Sequence, residues 1–260
     1  MKIKNIYKEI NSYLDKKYEK IGSTFIGKVT IKLISEIVLA CLIAAAVYGA
    51  TTLYNQSRSV DVDNEKLGRI YVSVSDEYVE SLFGIPYITI TESDNLKNHF
   101  YILNDAVLRT VSENDNVVAY FITSTNKNRK IPVDSYEAKK RIIGKTKYSD
   151  VSFANPTIES NTSLNGRYNY YSEIQGTGRY GMFNYYMYGL VPYGFFDEGS
   201  ADLISLTAWD EDYSQKELQA LRQKAFPNTF GVIAEGYEEI ISIIPTCDEW
   251  ENMYYLLNKD

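Results

Sequence analysis

Residues 70–86, IYVSVSDEYVESLFGIP, are the stretch that decides the fold class of this chain. Ser75 followed by two acidic residues predicts a helix with a serine N-cap and a favourably charged first turn. The apolar face of this helix comprises Val79, Leu82 and Phe83. Gly84 predicts a left-handed C-cap, and Pro86 prevents the helix from continuing. These are scaffold roles, so the stretch indicates a fold rather than an active site.

Four strand-like runs follow this helix. Each run is rich in β-branched and aromatic residues, and turn-forming polar residues separate one from the next. The runs comprise residues 87–91, 99–103, 107–111 and 117–123. The sequence therefore predicts a helix followed by an antiparallel meander.

The same region resembles the SmpA/OmlA family of small outer-membrane lipoproteins, which shares the fold of the β-lactamase-inhibitor proteins. That family carries the pattern I-x-x-G-M-T-x-x-Q-V-x-x-L-L-G-x-P. The matching positions here are Ile70, Val74, Ser75, Val79, Leu82, Phe83, Gly84 and Pro86. The chain departs from the pattern at Ser73, where the family has glycine, and at Tyr78, where it has glutamine. The resemblance implies an SmpA-like α/β unit over about residues 68–125.

An apolar run at residues 33–54, LISEIVLACLIAAAVYGATTLY, contains one charge, Glu36. As a helix it is long enough to cross a hydrocarbon core of roughly 30 Å, and it predicts a single transmembrane helix. Residues 1–32 carry eight lysines and three acidic residues. The positive-inside rule therefore places the N-terminus in the cytoplasm and the C-terminal domain in the periplasm or outside the cell. A cleaved signal peptide, a lipoprotein anchored at Cys41 and a buried core helix are the alternatives.

The predicted fold class is α+β, with the transmembrane helix followed by antiparallel sheet packed with short helices. The predicted segments are a basic amphipathic segment (1–32), the transmembrane helix (33–54), a tether (55–67), the SmpA-like unit (68–130) and a tyrosine-rich β-module with C-terminal helices (131–260). Residues 155–158 echo residues 85–88, which leaves a second copy of the α/β unit open.

Local patterns in the second half predict further elements. These are a short helix at 134–143, a helix from the Ser214 cap to Phe226, strands at 229–234 and 239–244, and a last helix after Asp248.

Charge and residue types exclude several functions. Residues 55–260 hold 19 basic and 30 acidic side chains, a net charge of −11, so they offer no footprint for nucleic acid. His99 is the only histidine and falls in a predicted strand, which argues against a histidine metal site or a histidine-based triad. We predict no catalytic residue, no metal and no cofactor.

Tyrosines are concentrated late in the chain, where eight lie between residues 168 and 193. Tyrosine suits both sheet packing and binding surfaces, because it joins a large rigid ring to a polar tip. Strand alternation places Tyr168 and Tyr170 on one face and Tyr171 on the other. The candidate binding residues are Tyr168, Tyr170, Tyr171, Tyr180, Tyr185 and Tyr186.

These patterns favour a non-catalytic scaffold anchored in the inner membrane. Its exported domain is expected to bind an envelope protein or a glycan, or to form a homo-oligomer. A transmembrane sensor subunit is one alternative. The other is an envelope hydrolase that uses the carboxylates at 197–212, namely Asp197, Glu198, Asp202 and residues 210–212.

Overall fold

A computed structural model gives the architecture of most of the chain. It describes residues 9, 12–13, 25–91, 95–134, 140–151, 153, 156–161, 170–179, 182–209, 213–238 and 241. The chain divides into two compact units, Met1–Val60 and Asp61–Asp260. The predicted strand at 239–244 and the helix after Asp248 lie almost entirely outside the described residues.

The apolar run lies in α1, a helix of 43 residues from Phe25 to Leu67. The predicted tether at 55–67 is therefore helical. No helix among the described residues is both long and apolar enough to cross a membrane, and the prediction of a transmembrane helix at 33–54 is wrong.

Within the described part of the second unit, one antiparallel sheet of eight strands forms the centre, in the order β1-β2-β3-β4-β10-β9-β8-β7. Its strands are β1 (Ile88–Thr91), β2 (Leu96–Leu103), β3 (Ala106–Glu113), β4 (Asn116–Ser124), β7 (Thr157–Asn161), β8 (Tyr170–Arg179), β9 (Met182–Leu190) and β10 (Thr229–Ala234). The predicted meander corresponds to β1 through β4, and the predicted strand at 229–234 is β10.

A separate two-stranded sheet pairs β5 (Ile131–Asp134) with β6 (Lys140–Ile143). The prediction of a helix at 134–143 is wrong for the residues described there. Ile131 and Val133 are buried while the residues after each of them are exposed, so the burial of β5 has the two-residue period of a strand.

Among the residues described in the second unit, three α-helices and a short 3-10 helix (Tyr148–Asp150) accompany the sheets. The α-helices are α2 (Asp76–Phe83), α3 (Glu198–Trp209) and α4 (Gln215–Arg222). Apolar residues of all three join one core cluster with one face of the sheet, which we call the helix face. A second cluster lies on the opposite face, which we call the second face, and includes Phe100, Phe121 and Met187. The sheet is therefore buried on both faces over most of its width.

The motif at 70–86 forms the predicted helix. Ser75 is the N-cap of α2, and its hydroxyl accepts a hydrogen bond from the Tyr78 N–H at 3.2 Å. Ile70 and Val79 lie in the core. Gly84 has φ 82° and ψ −166°, a conformation open mainly to glycine but outside the left-handed helical region that we predicted.

The strand order is mirrored about the central pair β4 and β10, since each half runs in chain order from its edge strand to the centre. The echo at 155–158 leads into β7, the edge strand that corresponds to β1. The residue pattern differs, however, because Ile88 packs against the second face and Ile158 against the helix face. The helices also differ in position, since α2 precedes β1 whereas α3 and α4 lie between β9 and β10.

Candidate functional site

A chain of polar side chains lies on the helix face where α2 meets the first three strands. It comprises Asp76, Thr89, His99 and Ser112, and we call it the Asp76 cluster. His99 Nδ1 lies 2.9 Å from Thr89 Oγ1, and His99 Nε2 lies 3.3 Å from Asp76 Oδ2. The Ser112 hydroxyl donates a hydrogen bond to the other Asp76 oxygen. Thr89 is exposed, whereas Asp76, His99 and Ser112 are buried.

Strand register and the start of α2 bring these residues together. Thr89 on β1 lies directly opposite His99 on β2, so both side chains project from the helix face. Asp76 is the first residue of α2, and its N–H donates to the Asp115 carbonyl in the turn between β3 and β4. This bond holds the N-terminus of α2 against the sheet and places the Asp76 carboxylate beside His99.

Asp76 is held in its ionised form. Burial alone would raise the pKa of Asp76, but the contact with His99, the hydrogen bond from Ser112 and the positive charge of Lys97 bring it below its usual value. The carboxylate only accepts, so the His99 proton belongs on Nε2, which faces Asp76. Nδ1 is then free to accept the Thr89 hydroxyl proton. An exposed hydroxyl thus contacts a base that a carboxylate orients.

Sequence reasoning did not find this cluster. His99 does lie in a strand, as predicted, but a strand position does not prevent contact with a hydroxyl and a carboxylate. A signal was present, because the predicted hairpin pairs 87–91 with 99–103 and the predicted helix begins at Asp76. What the sequence lacked was the packing of the helix N-terminus onto the hairpin.

A second polar cluster buries Tyr171, one of the predicted binding residues. Its hydroxyl donates to Glu173 Oε1 at 2.7 Å. Arg222 on α4 contacts both carboxylate oxygens, with Nη2 to Oε2 at 2.8 Å and Nε to Oε1 at 2.7 Å. Glu173 has no exposed surface, and burial raises its pKa although Arg222 and Tyr171 oppose the shift. Tyr171 therefore belongs to the interior rather than to a binding surface.

The other candidate tyrosines do not share one surface. Tyr170 and Tyr185 pack against the second face, whereas Tyr186 packs against the helix face. All three are partly buried. Tyr168 and Tyr180 lie outside the described residues. The tyrosines that the structure describes mainly pack the sheet, which was the alternative to a binding role.

The carboxylates of the alternative hydrolase site belong to a helix. The Asp197 carboxylate accepts a hydrogen bond from the Ser200 N–H at 2.7 Å, which is the role of an N-cap, and Glu198 begins α3. Asp202 is exposed one turn further on, and residues 210–212 lie outside the described part of the chain. Within that described part, no group of three histidine, cysteine or acidic side chains is placed to hold a metal ion.

Comparisons with other proteins add little to this geometry. No protein-family model matches the chain, and no curated protein matches its sequence. Among solved structures, the chain is similar to a cysteine-rich secretory protein (SAV1118) from Staphylococcus aureus, at 8% identity and a TM-score of 0.26. The match covers 64% of this chain and 45% of that one, and at this TM-score it carries no argument.

Proposed function

We propose that this chain is a non-catalytic binding protein that holds a protein partner along β1. The observation that carries the proposal is a sheet edge bordered by exposed apolar side chains. In the described part of the sheet, β1 is an end strand and pairs with β2 alone. An end strand presents unpaired N–H and C=O groups that another extended chain can pair with.

Exposed apolar residues adjoin this edge. Ile85 is 88% exposed and Tyr87 is 60% exposed, and they lie three residues and one residue before β1 begins at Ile88. Tyr71 and Tyr78 are also exposed and belong to the same motif. Large apolar groups cost free energy when they remain in water, and Ile85 and Tyr87 beside an end strand favour an interaction site there.

A protein partner fits this edge better than a glycan does, because the backbone of a second chain supplies the matching donors and acceptors along a strand. The predicted tyrosine surface gives less support, since the described tyrosines of that region pack the sheet. The proposal therefore keeps the binding role and moves it from the tyrosine-rich module to the motif at 70–86 and the strand that follows it.

Site-specific photo-crosslinking tests the proposal. The full chain is expressed in the organism that it comes from, with benzoyl-phenylalanine in place of Ile85. A matched variant carries the same probe in place of Lys216, which is exposed on α4. We expect a discrete protein adduct from position 85 and none from position 216. Adding Tyr87→Lys should remove that adduct, with a change in unfolding free energy of about 0.5 kcal/mol or less because the site is exposed.

Two results would refute a β1 binding site. One is the absence of any discrete adduct from position 85. The other is the same set of adducts from positions 85 and 216, since that would reflect nonspecific contact. An adduct between two copies of this chain would support the binding role and identify the partner as a second copy.

A further inference from the structure

We propose that Thr89 is an activated hydroxyl that accepts an acyl group from an activated ester or thioester. This inference goes beyond the proposed binding function and does not depend on it. It rests on the contact between Thr89 and His99, on the carboxylate that orients His99, and on the exposure of the threonine.

The geometry provides a base for the hydroxyl. Thr89 Oγ1 and His99 Nδ1 are 2.9 Å apart, which is within the range required for proton transfer between a nucleophile and its general base. Asp76 lies on the opposite side of the imidazole as a positioning residue, because its negative charge favours the tautomer with the proton on Nε2, although the contact lacks hydrogen-bond geometry. The distance from Nε2 to Asp76 Oδ2 is 3.3 Å. Such contacts are often long before a substrate binds.

The base and its carboxylate are buried while the hydroxyl is exposed, which is the arrangement that acyl transfer requires. His99 is 7% exposed and Asp76 is 9% exposed, so packing restricts the ring and its carboxylate. Thr89 lies on an end strand and is exposed, so an acyl donor can reach its hydroxyl. Thr91 is a natural control, since it is exposed on the same strand and the same face but pairs with Lys97 instead of a histidine.

The proposed step balances without an oxidant or a metal. With p-nitrophenyl acetate as the donor, Thr89 Oγ1 attacks the carbonyl carbon and forms the new C–O bond. The hydroxyl proton moves to His99 Nδ1. The bond between the carbonyl carbon and the aryl oxygen breaks, and the nitrophenolate that leaves takes up the proton. The products are O-acetyl-Thr89, neutral His99 and p-nitrophenol.

The test treats the full chain with p-nitrophenyl acetate and maps acetylated residues by peptide mass spectrometry. We expect Thr89 to be acetylated about 100-fold faster than Thr91, which is the lower range for general-base assistance. Equal acetylation of the two threonines in the unsubstituted chain would overturn the proposal. This comparison needs no variant, so a folding defect cannot obscure it.

Two variants separate base assistance from simple accessibility. His99→Asn keeps a hydrogen-bond acceptor near the position of Nδ1 but supplies no base, and we expect it to reduce acetylation of Thr89 to the rate of Thr91. Thr89→Ser keeps the hydroxyl and should keep preferential acetylation at position 89. Undiminished acetylation of Thr89 in a folded His99→Asn chain, judged by its far-UV circular dichroism, would also overturn the proposal.

Discussion

Replacing Arg222 with methionine leaves the buried Glu173 carboxylate without its cation. The two side chains form an ion pair with one hydrogen bond, from Arg222 Nη2 to Glu173 Oε2, and a second close contact through Nε; Glu173 has no exposed surface and Arg222 is 8% exposed. Methionine keeps much of the aliphatic length of arginine, so the main loss is the charge and its hydrogen bonds. Removal of one partner from a buried ion pair costs about 3–5 kcal/mol.

This cost is large for a single domain. The whole free energy of unfolding of a typical domain is about 5–15 kcal/mol. For a domain of roughly 200 residues, a loss of this size lowers Tm by roughly 6–20 °C. We expect thermal unfolding of Arg222→Met, followed by circular dichroism, to show a fall in that range.

The pH dependence of the stability of Arg222→Met is a second test of this explanation. Burial holds the pKa of Glu173 above its usual value, and removal of Arg222 raises it further. A carboxyl with a raised folded-state pKa contributes stability that is present at low pH and is lost as the pH rises through that pKa. The defect of Arg222→Met should therefore shrink as the pH falls toward the usual glutamate value of about 4.3.

A double variant is the matched control. Glu173→Gln added to Arg222→Met removes both charges and keeps an acceptor for the Tyr171 hydroxyl, so it should recover at least half of the lost stability. The reasoning is refuted if the double variant is no more stable than Arg222→Met at neutral pH. A defect of Arg222→Met that does not vary with pH would also refute it.

Two further substitutions test backbone and packing constraints. Ser73 has φ 76°, in the left-handed region, so Ser73→Gly should raise the unfolding free energy in urea by about 0.5–1 kcal/mol; an unchanged or lower value would contradict the strain. Gly231 lies under Phe121, whose Cδ1 would be 2.5 Å from an added Cβ, so Gly231→Ala should lower the unfolding free energy by about 1–3 kcal/mol. A neutral Gly231→Ala would mean that the strand shifts to make room.

Local patterns predicted the elements whose signals are local. Ser75 and Ser214 are both N-caps with the expected hydrogen bonds, and four strands of the meander lie where the residue pattern placed them. α3 was missed because its start, from Asp197 to Gly199, has the composition of an acidic loop. The hydrogen bond from Ser200 N–H to Asp197 shows that this acid caps a helix instead.

Features that depend on distant contacts could not be predicted from local pattern. Alternation along β8 correctly separates Tyr170 from Tyr171, but it does not tell which face a helix covers. α4 covers the face that carries Tyr171. Tyr171 is therefore buried, and its hydroxyl donates a hydrogen bond to Glu173. The Asp76 cluster has the same origin, since its residues come from one helix and three strands that only tertiary packing brings together.

The two polar clusters occupy corresponding places in the mirrored strand order but differ in chemistry. β2 and β8 are each second from an edge, and each carries a buried ionisable residue that contacts a helix: His99 contacts Asp76 of α2, and Glu173 contacts Arg222 of α4. The edge strands make the difference. Opposite His99 lies Thr89, a hydroxyl open to solvent, whereas opposite Glu173 lies Ile158, which offers no polar atom beyond its backbone. The Glu173 pair is therefore closed and serves stability, while the Asp76 cluster continues to an exposed nucleophile. Thr89→Ile would place on β1 the residue type that β7 has at Ile158. This substitution should remove acylation at position 89 while His99 keeps its contact with Asp76.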